Sequence, residues 1–265
     1  MQQPKELLTE VAAAVNEFTD RLTRIGDIDQ LEFRRLLAAT RRLQAVNVVA
    51  ANCMQSTLYC YAGDDAQADA ALKNAELNGG GAEVTYRRVV NAVTRLRASD
   101  ALKLAEDAFN IVSGSVFQDA DLPTAIAAVG AFQLASSFLD RSSKKGVVAK
   151  MTRMTEILKP TAQTFESLGM SDSQVAAVVD EVGAVLRENN LVWLGGLPDV
   201  GCLTTEQGGP VVSFAYRVDV SPERAAELNW QLVERQVDSG LFYSGFNVMF
   251  LGQHVEGRSD VAVSA

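Results

Sequence analysis

Apolar residues recur at three- and four-residue intervals from the start of the chain, at Leu8, Val11, Val15, Phe18, Leu22 and Ile25. That is the period of an amphipathic helix. Gly26–Asp29 interrupts it, and a long second helix is predicted from about Asp29 to about Tyr61. Its front half sets Leu31, Leu36, Leu37 and Leu43 against Arg34, Arg35, Arg41 and Arg42. Its back half is apolar on several faces, which places it at the centre of a helical core. Asp64 or Asp65 is positioned to cap the next helix, which stops at the glycines of Asn78–Ala82. Further helices are predicted at about 83–97, 100–113, 122–140 and 147–158. The last of these stops before Pro160, because a proline disfavours helix in the residue ahead of it. Ser171 and Gln174 form a capping box that opens a helix reaching about Glu188.

At Leu191 the pattern changes. A short apolar run meets Gly and Pro, and Val200–Thr205 reads as a second strand. Val212, Phe214, Tyr216, Val218 and Val220 then alternate with Ser213, Ala215, Arg217 and Asp219, the two-residue period of a half-buried strand. Ser221 and Pro222 start a helix that Gly240 ends. Ala226, Trp230, Val233 and Val237 form its apolar stripe, flanked by Leu228 and Leu232. Phe246–His254 is apolar on both faces at first, which reads as an interior strand. The final strand–helix–strand unit calls for a crossover with parallel strands. The expected fold is α+β and predominantly α. A multi-helix bundle occupies residues 1–189, a small three- to four-stranded sheet with a covering helix 190–255, and a frayed tail 256–265. No 34-residue period of a helical-repeat protein runs through the chain.

Composition supports a folded globular chain, with 48% hydrophobic and 22% charged residues. The net charge of −9 is unevenly placed: residues 161–265 hold 5 Lys+Arg against 14 Asp+Glu, while residues 1–160 balance. An acidic C-terminal third disfavours phosphate backbones and suits a basic protein surface. The N-terminal stretch lacks the basic start and unbroken apolar core of a signal peptide, and Glu6 and Glu10 interrupt it. The apolar runs at Leu43–Gly63 and Leu122–Leu139 are too polar or too short for a membrane span. A cytoplasmic protein without membrane contact is expected.

Catalytic signatures are sparse. His254 is the single histidine, so imidazole-based triads and multi-histidine metal sites have almost no material. Cys53 and Cys60 lie seven apart on one predicted helix, too far along it for a disulfide, and read as small core hydrophobes. Cys202 reads the same way. The glycines of Asn78–Ala82 lack the Gly-Lys-Ser/Thr ending of a phosphate loop. No cofactor and no metal is expected.

Binding features are more plentiful. Glu223, Glu227, Glu234 and Asp238 follow one line of the last helix. Phe242, Tyr243 and Phe246 cluster in one short loop, and aromatics are enriched at interface centres. Arg34, Arg35, Arg41 and Arg42, with Arg87, Arg88 and Arg95, repeat at seven-residue spacing and make a basic patch if their faces converge. Lys144, Lys145, Lys150 and Arg153 form a third basic cluster. The expected function is non-catalytic: a protein that binds a protein partner or associates with itself as adaptor, chaperone-like binder or assembly subunit. Two alternatives stand behind it. One is an enzyme of unfamiliar type with carboxylates at the junction of bundle and sheet. The other is a nucleic-acid-associated protein using the arginine faces.

Overall fold

The structure is a computed structural model describing residues 4–22, 24, 26–111, 116–144, 152–194, 196–204 and 209–253. The tail and His254 lie outside the described residues. Among these residues there are eleven helices and three strands, helices first, so the fold is α+β with α predominant. The bundle comprises α1 (Pro4–Asp20), α2 (Gln30–Gln44), α3 (Val48–Tyr61), α4 (Asp65–Leu77), α5 (Gly81–Thr94) and α6 (Ala98–Ile111). It continues through α7 (Val116–Ala127), α8 (Phe132–Lys144), α9 (Thr152–Ser167) and α10 (Asp172–Glu188). Then follow β1 (Asp199–Thr204), β2 (Pro210–Val218), α11 (Pro222–Ser239) and β3 (Phe246–Gly252).

Local polar groups divide what apolar patterning joined. The long helix predicted over Asp29–Tyr61 is two helices, because the Asn47 side chain accepts a hydrogen bond from the Ala50 N–H at 3.0 Å and caps α3. Asparagine competes for backbone groups in this way and favours caps over helix interiors. The helix predicted at 122–140 is likewise two, broken at Gly130, whose φ of 87° is left-handed. α9, by contrast, runs through Pro160. The proline removes one N–H, and one residue further on the Thr161 hydroxyl donates to the Ile157 carbonyl at 2.7 Å.

α10 organises the bundle by capping other helices. Asp180 accepts from the N–H groups of Ala98 (2.6 Å) and Ser99 (3.3 Å) at the start of α6. Asp172 accepts from Gln133 (3.0 Å) and Leu134 (2.8 Å) at the start of α8. Each carboxylate satisfies orphan donors and meets the positive end of a helix dipole. Gly183 lets the α5–α6 turn approach: a Cβ there would stand 2.0 Å from the Leu96 carbonyl oxygen. Arg187 completes this seat by donating to the Arg95 carbonyl at 2.6 Å.

The sheet order is β1-β2-β3, antiparallel then parallel, and the strand that its alternation predicted, β2, is the central one. β3 is an edge strand rather than an interior one. Its Val248 and Phe250 are buried while Asn247 and Leu251 face out, and α11 covers it. The strand expected at Leu191 reduces to single bridges, Leu191 to Arg24 and Trp193 to Val218. Phe132, Phe165, Phe214 and Phe246 interlock with ring centroids 5.1–6.1 Å apart, and Tyr216 donates to the Ala128 carbonyl at 3.0 Å. One cluster of buried residues thus runs from Val89 to Phe250, across residue 190 where the sequence pattern changes. α1, α2 and α3 enclose a second cluster around Phe18, Phe33, Leu43 and Leu58.

Candidate protein-interaction surface

α11 is well defined at both ends. Ser221 accepts from the Arg224 N–H at 3.2 Å, Pro222 occupies the first turn, and Gly240 ends the helix at φ 67°. Ala225, Leu228, Leu232 and Gln236 form the buried face. Polar clamps hold it from the sides. Arg235 reaches Glu181 and Glu188 on α10, each at 2.7 Å. Gln231 accepts from Asn189 at 2.9 Å, and Arg224 also binds Asn189. Asn229 clasps β3 through the backbone of Phe250.

The stripe read from the sequence lies on the other side. Trp230 is 66% exposed, Val237 59% and Val233 44%, with Ala226 also exposed. The flanking Leu228 and Leu232 enter the core instead. The helix therefore carries two apolar lines, one consumed by folding and one presented to solvent. Two such lines one residue out of phase were the available signal, but a wide apolar face reads by default as core. Exposed hydrophobes scattered singly need no explanation, whereas a contiguous rigid line of them marks a contact site.

Glu223, Glu227, Glu234 and Asp238 are all exposed and border this stripe. Glu227 pairs with Arg224, and Glu234 accepts from the Trp230 indole N–H at 2.7 Å, which fixes the ring. The aromatic loop divides. Phe246 belongs to the interlocked phenylalanines and Tyr243 packs against the core, while Phe242 is 58% exposed just beyond the end of α11.

The arginines do not share one setting. Arg34, Arg35, Arg41 and Arg42 are exposed on α2. On α5, Arg88 pairs with Glu76 at 2.7 Å. Arg95 donates to the Cys60 carbonyl at 3.1 Å and meets Asp65 at 3.4 Å. Arg87 is half-buried with its Nε enclosed. α3 packs against both α2 and α5. Lys145 and Lys150 lie outside the described residues, as do the side chains of Lys144 and Arg153.

A cleft of about 370 Å³ lies where α3, α5 and α7 meet Val192, Trp193 and Gly196, the junction of bundle and sheet. Tyr61, Tyr86, Thr94, Thr124 and Trp193 are among its lining residues, and among the described residues no Asp or Glu lines it. Burial pushes the Tyr61 hydroxyl up to about 12. It likewise pushes the Cys53 and Cys60 thiols up to about 11, so at neutral pH both are protonated and poor nucleophiles. Cys202, expected in the core, is exposed on β1. Its sulfur lies 4.0 Å from the Thr161 hydroxyl of α9, and the end of β1 from Cys202 to Thr204 is exposed. Among the described residues no three His, Cys, Asp or Glu side chains gather as a metal site, and no helix is long and apolar enough to cross a membrane. Comparison with protein-family models, with curated proteins and with solved structures gives no match.

Proposed function

We propose that the protein is a non-catalytic interaction or assembly protein whose α11 presents a docking face for an amphipathic helix with a basic edge. One observation carries this reading: Trp230, Val233 and Val237 stand exposed in line on a helix that is otherwise clamped to the sheet and to α10. A rigid tryptophan loses little side-chain freedom when a partner covers it, and tryptophan is favoured among the residues that dominate binding energy. The acidic border supplies the charge preference, favouring Arg or Lys on the partner.

The magnitudes describe a reversible contact. Covering roughly 200–250 Å² of apolar surface stabilises a complex by about 5–6 kcal/mol at ~25 cal/mol per Å². Association entropy offsets a large part of that. The test is calorimetric titration with a synthetic amphipathic helix of Leu and Arg. The wild type is expected to bind it with a negative heat-capacity change, and Trp230→Ser/Val237→Ser to lose binding at least tenfold. Equal binding by both proteins would refute the reading.

A further inference from the structure

The helix that fits this face is present in the chain itself. We infer that α11 of one copy receives α2 of a second copy, a reading that rests on the docking role proposed for α11. Arg34 and Arg41 are seven residues apart, as are Arg35 and Arg42, so they form two parallel rows along α2. Leu31, Ala38 and Ala45 repeat at the same spacing between those rows, and all three are exposed, Leu31 by 60%. The outer face of α2 is therefore a thin apolar line with cations on both sides. None of the four arginines has an ion pair among the described residues.

α11 offers the counterpart at the same pitch. Ala226 and Val233 are seven apart, as are Trp230 and Val237, and so are the acids Glu227 and Glu234 beside them. Seven residues is two turns, about 10.5 Å of rise, so apolar and charged positions recur in step along both helices. Small Ala38 and Ala45 leave room opposite a projecting Trp230, and one of the arginine rows meets the acidic border. Among the described residues neither apolar line is covered: α2 packs inward on α1 and α3, and α11 on β3 and α10.

A single helix pair lies at the low end of specific interfaces, below about 1,200 Å², so the contact is weak and concentration-dependent. Its charges are exposed, so salt loosens it. The contact joins two different faces. Each docked pair retains one free α2 and one free α11, and assembly continues past the dimer unless a ring closes.

Sedimentation velocity on the full chain reads this out. The weight-average mass of the wild type is expected to rise at least twofold with concentration at low salt and to fall back at high salt. Arg35→Glu/Arg42→Glu spoils only α2, and Trp230→Ser/Val237→Ser spoils only α11. Each alone is expected to stay monomeric with unchanged circular dichroism. An equimolar mixture retains one good α2 and one good α11, and is expected to form dimers and nothing larger. A wild type that stays monomeric throughout, or a mixture that does not dimerise, overturns the inference. If the Leu–Arg peptide still binds α11 in that case, self-docking fails alone; if the peptide also fails, the docking role of α11 falls with it.

Discussion

The carboxamide of Asn229 exchanges two hydrogen bonds with the backbone of Phe250, accepting from its N–H at 2.7 Å and donating to its carbonyl at 3.1 Å. β3 is an edge strand, and an unpaired edge is a template for pairing with other chains. A side chain of α11 here takes the place of a further strand. Asn229→Ala is expected to destabilise the fold by about 1–2 kcal/mol, since both groups lose their partner. Asn229→Asp keeps the acceptor, loses the donor and sets a carboxylate against the Phe250 carbonyl. Urea denaturation should rank wild type above both variants, with turbidity on warming greatest for the alanine variant.

Gly183 and Asp180 seat the α5–α6 turn. Gly183→Ala places a methyl group against the rigid backbone of Leu96, so a loss of at least about 2 kcal/mol is expected. Asp180→Ala removes the cap of α6 at about 1–2 kcal/mol. Thermal melts of the two variants and the double variant check this, and the shared turn predicts losses that do not add.

Asp172 gives a pH dependence of unusual sign. Burial raises its carboxyl above the ordinary value, outweighing the amides of Leu134 and Gln133, which lower it. A folded-state value above the unfolded one means the native state holds the proton more tightly. The stability from this group is greatest below the unfolded value of about 3.8 and falls as pH rises through the folded value. Asp172→Asn removes the titration. The stability difference between wild type and variant should therefore shift against the wild type as pH rises from 4 to 7. Denaturant titrations across that range decide it, and a shift the other way would contradict the assignment.

The three thiols separate by exposure. Cys202 is exposed, whereas Cys53 and Cys60 are 2% and 3% exposed with thiols held protonated. A thiol reagent at neutral pH should label one cysteine per chain quickly, and Cys202→Ser should abolish that phase. The other two should react only on unfolding.

Periodicity carried most of the fold. The capping box at Ser171, the limits of α11 and the existence of β2 follow local rules of capping and alternation, and the parallel pairing of β2 with β3 follows from the helix that joins them. Rules of that kind do not register groups that act at a distance. The breaks at Asn47 and Gly130 sit inside apolar runs, and a proline that breaks most helices is held within α9. Asp172, Asp180 and Asn229 cap elements 21 to 82 residues away, which no local pattern marks. At the candidate site the acids on α11 were legible, and so was the stripe as a stripe. Its direction was not, because which of two apolar lines turns inward is set by β3 and α10 rather than by α11 itself.

The central claim is that the outer face of α11 is a binding surface, and Trp230 reports on it directly. Trp193, the other tryptophan, is 7% exposed, so the red-shifted emission comes from Trp230. Emission spectra recorded while the Leu–Arg helix is titrated into the protein should shift saturably to the blue and lose acrylamide quenching. Emission and quenching that stay unchanged up to millimolar peptide would contradict the account.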